Sequence, residues 1–304
     1  MKKTAIACFA LIGISVVACA LPVKKGLLPK TPSAGVDRPQ DQRGRPAGAS
    51  LGISGLVMYL NANYGVYSDT ARTTIVTADG AEVAGWKDWS PSKAANASQA
   101  TSGQRPILKK NIIGTQSVLR FDGVDDFMTF TLSLNGPKSV VMVGKLVAKP
   151  SNGAVYLLIK ADTPPNYTFS EFTLFDNHAA YKDLSFSMDF ATSSTNGYGA
   201  TDAIDTNPHI YTTRWAGTGN DPQASMDGGE QGAPQRVGAS YGYGDAYING
   251  IGARPNPANL ANPFLEMNID IAEIMVFNRF LTADEMNLIG NYGRQAYGIT
   301  WSGL

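Results

Sequence analysis

The stretch Ile269-Asp270-Ile271-Ala272-Glu273-Ile274-Met275-Val276-Phe277, continued by Asn278-Arg279-Phe280-Leu281-Thr282-Ala283-Asp284-Glu285, decides the fold. Apolar residues occupy both parities of the run: Ile269, Ile271, Met275 and Phe277 on one, Ala272, Ile274 and Val276 on the other. Side chains alternate between the two faces of a strand, so this one is expected to be central and covered on both sides. Directly after it, Thr282 and Glu285 stand three apart as a capping box, Met286, Ile289 and Tyr292 follow at helical spacing, and Gly298 is a stop signal. A short helix therefore closes the domain.

Working backwards from that strand, short β-branched or aromatic runs recur between clusters of Gly, Asn, Asp and Pro. They are Gly55–Leu60, Ser117–Phe121, Phe127–Leu132, Val140–Leu146, Val155–Lys160, Phe169–Phe175, Leu184–Phe190 and His209–Trp215. Helical periodicity is rare. The pattern predicts an all-β fold, an antiparallel jelly-roll β-sandwich with a short C-terminal helix. About 250 residues follow position 50, a length at which a sandwich commonly stays one domain. Twenty-five basic residues balance 25 acidic ones, and only 16% of residues are charged, so no strong field points to nucleic acid.

The N-terminus has a different composition. Lys2 and Lys3 precede an apolar run from Ala5 to Ala18 that is too short to span a bilayer and has the shape of an export signal. Both cysteines, Cys8 and Cys19, fall within or beside it, which leaves the folded part without disulfide, thiolate ligand or cysteine nucleophile. Val16-Val17-Ala18-Cys19 resembles the bacterial lipobox, which would make Cys19 the lipidated first residue of the mature chain. Cleavage after Ala18-Cys19-Ala20 is the competing reading. Residues 1–18 are thus read as a lipoprotein-type signal peptide and 19–50, with Pro22, Pro29, Pro32, Pro39 and Pro46 among polar residues, as a disordered tether. Residues 51–304 form the folded domain. The expected location is the outer membrane or cell surface of a bacterium, held by lipid alone; a secreted or periplasmic protein is the alternative.

Several motifs occur in a fixed order. They are Gly55-Leu56-Val57-Met58-Tyr59-Leu60-Asn61-Ala62, Val83-Ala84-Gly85-Trp86-Lys87-Asp88-Trp89-Ser90, Arg105-Pro106, Val118-Leu119-Arg120-Phe121-Asp122-Gly123-Val124-Asp125-Asp126, and Asp270 to Leu281. With the capped helix ending in Tyr297-Gly298, the chain from about residue 53 to 299 resembles bacterial laminin-G-like, concanavalin A-like jelly-roll domains. The resemblance implies a scaffold that serves glycan binding, adhesion, accessory roles to enzymes and some glycanase catalysis, without specifying a ligand.

Asp122, Asp125 and Asp126 read first as a turn in which Asp caps local amides, and second as a Ca²⁺ site, because three carboxylates supply hard oxygen ligands. Arg120 and Glu273 read as structural residues; a buried Glu273 would need a donor such as an Arg or loop amides. Glu266, Asp270 and Glu273 do not reproduce the evenly spaced carboxylates of jelly-roll glycanases, and Asp270 and Glu273 would point to opposite faces of a regular strand. Gly238–Gly242 matches a nucleophile elbow only formally, having no helix after it. Ser225–Gly229 resembles a sialidase Asp box without its closing aromatic and is read as a turn. His178 and His209 read as ordinary loop and strand-start residues, and Trp86, Trp89 and Trp215 as core or sheet-edge residues.

Two Gly- and Tyr-rich loops have the composition of a sugar site: Asn196–Asp202 with Tyr198, and Ser240–Asp245 with Tyr241, Tyr243 and Asp245. Aromatic rings there would cover pyranose faces while polar groups meet the hydroxyls; the same tyrosines would also serve to anchor their own loops. A non-catalytic module that binds a glycan or a surface protein is therefore expected, with a glycan-processing enzyme and a structural envelope component as alternatives. Cys19→Ala should abolish membrane association while leaving the domain folded, because several acyl chains anchor effectively permanently. Unchanged recovery of the variant in a membrane fraction would remove the lipid anchor.

Overall fold

The computed structural model describes residues 51–132, 136–148, 154–160, 172–175, 185–187, 197–199, 205–216, 223–230, 248–253 and 266–304. Among these are seventeen strands: β1 (Leu56–Asn61), β2 (Val66–Tyr67), β3 (Gly85–Trp86), β4 (Ala97–Ser98), β5 (Ile107–Ile113), β6 (Gln116–Asp122), β7 (Met128–Thr131), β8 (Lys138–Leu146), β9 (Ala154–Lys160), β10 (Phe172–Phe175), β11 (Ser185–Ser187), β12 (Gly197–Gly199), β13 (His209–Trp215), β14 (Gln223–Met226), β15 (Gly229–Glu230), β16 (Ile248–Ile251) and β17 (Asn268–Phe277). A single described helix, α1 (Ala283–Tyr297), follows. No helix among the described residues is long and apolar enough to cross a membrane.

The strands form two antiparallel sheets. One has eight strands in the order β15-β14-β13-β8-β17-β6-β5, with β1 also paired to β17; the other has nine, in the order β12-β11-β10-β9-β16-β7-β4-β3-β2. Two hydrophobic layers result. Between the sheets lie Met58, Leu60, Leu119, Phe121, Val140, Met142, Ile271, Ile274 and Val276 from the first sheet, against Trp86, Met128, Phe130 and Ile251 from the second. On the other side of the eight-stranded sheet, Tyr59, Val118, Val141, Val143, Ile210, Ala272, Met275 and Phe277 pack under Met286, Ile289 and Tyr297 of α1. β17 is thus buried on both faces, as its sequence predicts, since both parities are apolar.

Its alternation, however, is not regular. Ile271 pairs with Gly144 of β8 but Glu273 with Val143, so Ala272 is an extra residue in β17. At the same point the opposite edge of β17 changes partner: Asn268–Ile271 pair with β6, and Glu273–Phe277 pair with β1. The bulge flips the faces beyond it. Ile269 and Ile271 share the inter-sheet layer with Ile274 and Val276, while Met275 and Phe277 lie under the helix with Ala272. The expected grouping of Ile269 and Ile271 with Met275 and Phe277 is corrected accordingly, because it assumes an unbroken period of two.

Helix α1 is stapled at both ends as expected. Thr282 Oγ1 accepts from the Glu285 amide (3.3 Å), Glu285 Oε2 accepts from the Thr282 amide (3.0 Å), and Gly298 takes the left-handed C-cap with its N–H donating to the Arg294 carbonyl. Arg279, at the end of the β17 motif, donates to both Glu285 carboxylate oxygens (2.8 and 2.5 Å), which ties the cap to the strand and holds that carboxyl down at about 2. The C-terminal segment then folds back: Trp301 Nε1 donates to Asn287 Oδ1 (2.8 Å), and its indole fills the space where a side chain on Gly290 would stand.

Gly144 faces the bulge at close quarters. A Cβ placed there would lie 2.6 Å from the Asp270 carbonyl oxygen, a backbone atom of a central strand that has no room to retreat. Gly144→Ala should therefore destabilise the domain by about 1–3 kcal/mol, read as a lower denaturation midpoint. An unchanged midpoint would mean that the two strands separate there at no cost.

Candidate functional site

The acidic turn between β6 and β7 is built as a set of reciprocal caps. Asp122 Oδ1 accepts from the amides of Val124 (2.8 Å), Asp125 (3.3 Å) and Asp126 (3.4 Å), and Asp126 Oδ2 accepts from the Asp122 amide (3.0 Å). Asp122 is exposed, Asp125 half-buried and Asp126 buried. Burial, with repulsion from Asp122, pushes the Asp126 carboxyl up to about 7. One ligand atom from each of the three lies within 4.8 Å of the others, a spacing that suits a Ca²⁺ coordinated at roughly 2.4 Å. Their free oxygens fit part of such a shell, which needs 6–8 ligands, while the turn is already satisfied by its own amides.

The bulge in β17 turns Asp270 and Glu273 toward the same face. Asp270 pairs in register with Arg120, on the parity of Val118 beneath the helix layer, and Glu273 meets the tyrosines of α1. Opposite faces, expected from a regular strand, are therefore corrected: Ala272 adds the residue that reverses the parity. Both carboxylates are nonetheless committed. Arg120 donates through Nε to Asp270 Oδ1 (2.7 Å) and through Nη2 to Oδ2 (2.8 Å), a bidentate pair around a carboxylate with no exposure.

Glu273 sits in a cage of tyrosines. Tyr292 Oη donates to its Oε2 (3.0 Å), Tyr297 Oη donates to the same oxygen, and buried Tyr59 lies close by. Neither an arginine nor loop amides supply the donors; hydroxyls from the closing helix do. Burial raises the carboxyl to about 7, offset in part by the hydrogen bonds from Tyr297 and Tyr292. The same burial and the neighbouring carboxylate push all three phenols well above their ordinary range.

Of the residues read as ligand contacts, Tyr198 lies at the middle of β12, an end strand of the nine-stranded sheet, where it pairs with Phe186 of β11. Its backbone is thus a strand rather than the loop expected from flanking glycines. Tyr241, Tyr243, Asp245 and Cys19 lie outside the described residues. Trp86 and Trp215 are fully buried and Trp89 packs at the margin of the helix layer. The turn read in Ser225–Gly229 is formed by Asp227 (φ 54°) and Gly228 (φ 85°), which join β14 to β15 with the positive dihedrals of a tight hairpin.

His209 carries more than a strand start. Its Nδ1 lies 2.7 Å from Asp227 Oδ2 and its Nε2 lies 3.0 Å from Asp205 Oδ1, while Asp227 Oδ1 accepts from the Ile210 amide (2.8 Å). Sequence gave no hint of this arrangement, because its three members are 4 and 18 residues apart with no motif spacing.

A carboxyl raised on folding favours the folded state below its unfolded value of roughly 4.3, and that contribution is lost as pH rises through the folded value. For Glu273 the loss runs up to about 7. Glu273→Gln removes the titration, so the variant should gain on the unmodified protein by on the order of 2 kcal/mol between pH 5 and 8. Parallel stability–pH curves for the two proteins would show that the buried carboxyl does not titrate there.

No family model matches the chain, and no curated protein matches it by sequence. Among solved structures, Trypanosoma rangeli sialidase in complex with sialic acid is similar over 81% of this chain and 34% of its own, with 14% identity and a TM-score of 0.51. The same sialidase with a difluorosialic acid covalent intermediate gives 12% identity over the same shares and 0.51. A botulinum neurotoxin type C structure, from work on cell entry through two ganglioside molecules, aligns over 78% of this chain and 51% of its own, at 12% identity and 0.50. The chain thus spans about a third of the sialidase and half of the neurotoxin chain, and what it shares with both is a β-rich sandwich fold.

Proposed function

We propose that this chain is a surface module that binds glycans without processing them, of the laminin-G-like kind, held to a bacterial outer membrane or cell surface through lipid on Cys19. The observation that carries the reading is the commitment of the two carboxylates that share a face of β17. Asp270 is fully engaged by Arg120, and Glu273 is enclosed by Tyr292 and Tyr297 beneath α1. Most glycoside hydrolysis uses a carboxylic acid and a second carboxylate flanking an accessible bond, and this pair is enclosed; sialidase-type hydrolysis, which uses a tyrosine nucleophile, is the case that the fragment-release assay decides.

The outer face of the eight-stranded sheet is covered by α1 and the C-terminal segment. A ligand surface is therefore sought on the loops and on the nine-stranded sheet, where Tyr198 stands, together with Tyr241, Tyr243 and Asp245. Similarity in fold to structures holding sialic acid or concerned with gangliosides favours a glycan partner of the sialic acid class over a surface protein. Ca²⁺ at Asp122, Asp125 and Asp126 would be an accessory to that site.

On immobilised sialylated and neutral glycans, with Ca²⁺ or a chelator, the protein should be retained by sialylated glycans and release no sugar fragments with time. Changing Tyr241 and Tyr243 together to Ala should lower affinity at least about tenfold, since each stacked ring contributes roughly 1 kcal/mol, with little change in Tm. Time-dependent release of fragments would establish an enzyme instead, and intact binding by a stable double variant would move the contact to another loop.

A further inference from the structure

The described residues contain a three-member charged cluster that neither the carboxylates of β17 nor the acidic turn involves. His209 opens β13 with a half-buried ring between two aspartates, Asp205 in the preceding turn and Asp227 at the β14–β15 turn. Both ring nitrogens are at hydrogen-bonding distance from carboxylate oxygens, which only accept. An imidazolium, with both nitrogens donating, satisfies both contacts at once. The two contacts are not equivalent. Asp227 is the more buried, with 26% of its side chain exposed against 49% for Asp205, and its other oxygen is held by the Ile210 amide. Asp227 is further fixed through its carbonyl, which accepts from the Ser302 amide (2.8 Å) and hydroxyl (2.7 Å).

We propose that His209 is a proton-operated latch: doubly protonated, it bridges the Asp205–Pro208 turn to the β14–β15 hairpin, and loss of the Nε2 proton frees Asp205 while the Nδ1–H keeps Asp227. Without that proton the Nε2 lone pair faces a carboxylate, and attraction becomes repulsion. Asp205 and Asp227 are the charged groups that face the ring among the described residues; the Tyr211 ring lies beside it, tilted by 59° with centroids 5.6 Å apart, and stays neutral, since burial raises its phenol. Desolvation pulls the imidazolium pKa down but the hydrogen bonds to Asp227 and Asp205 outweigh it, so it lies above its ordinary value. The latch is therefore closed below roughly 6.5 and opens as pH rises through the folded-state pKa. Asp205 is itself held below the usual carboxylate range, as hydrogen bonds from Asn207 and His209 outweigh its desolvation, so it stays charged in mildly acidic solution.

The test combines histidine NMR with amide exchange. The chain has two histidines, so His178→Gln assigns the ring signals. His209 should keep both ring protons to a pH above roughly 6.5 and then become the Nδ1–H tautomer. Exchange protection of the amides of residues 205–207, corrected for the intrinsic rate, should fall at least about tenfold through that titration while residues 223–227 stay protected. In Asp205→Asn, which retains the Asp227 contact, the step at 205–207 should vanish, and in His209→Gln protection there should be low at every pH. Titration at or below the ordinary value, an Nε2–H tautomer at high pH, loss of hairpin protection in the same step, or a step that persists in Asp205→Asn would each overturn the latch.

Discussion

Where β17 passes from β6 to β1, the strand accommodates two neighbours whose registers do not continue one another, and the extra residue Ala272 absorbs the mismatch. The Ala62 amide donates to the Ala272 carbonyl (2.9 Å), so the bulge is itself fastened to the chain that causes it. Much of the molecule depends on this step. It gives the inter-sheet layer Ile274 and Val276, gives the helix layer Met275 and Phe277, and turns Glu273 under α1. It also brings the β8 backbone so near that only glycine fits at 144.

A sheet covered on both faces has nowhere to put charge except against a partner, and each buried charge here has one. Asp270 takes a bidentate arginine, Glu273 takes tyrosine hydroxyls, and Asp88 accepts from the amides of Tyr59, Ser90 and Ala95. The solutions differ in electrostatic consequence. A cation neutralises the Asp270 charge, whereas hydroxyls only solvate Glu273, so burial dominates and its carboxyl rises to about 7. Asp126 rises to about 7 for the same reason, and His209 rises because two anions hold it. All three changes favour the protonated side, and the folded state is accordingly favoured by mild acid at each of these sites.

Strands and helix were legible where local chemistry and burial agree. The β17 run, the Thr282–Glu285 cap and the Gly298 stop could be read because both faces of the strand are apolar and the helix ends satisfy their own amides. Strand β5 was not, since Ile107-Leu108-Lys109-Lys110-Asn111-Ile112-Ile113 is an edge strand whose middle is exposed and whose register slips after Lys109, so no alternation survives. The bulge was hidden for a related reason: with apolar residues on both parities, the run is equally consistent with a flipped or an unflipped second half. Arg120 and Glu273 could be assigned structural parts but not to each other's partners, because pairing across 150 residues is a property of register.

The commitment of the eight-stranded sheet bears on function as much as the fate of its carboxylates. A β-sandwich that offers one sheet as a binding surface must leave that face open, and here α1, Trp301 and the segment around Leu51 and Ile53 close the outer face of this one. Trp86 and Trp215, the large aromatics best suited to stacking on sugars, are spent in the interior. The recognition proposed for this fold therefore falls to the Gly- and Tyr-rich stretches and to the outer face of the other sheet. A sandwich fold leaves the choice of ligand to its surface, and what this chain shares with the similar structures, at 12–14% identity, is the architecture.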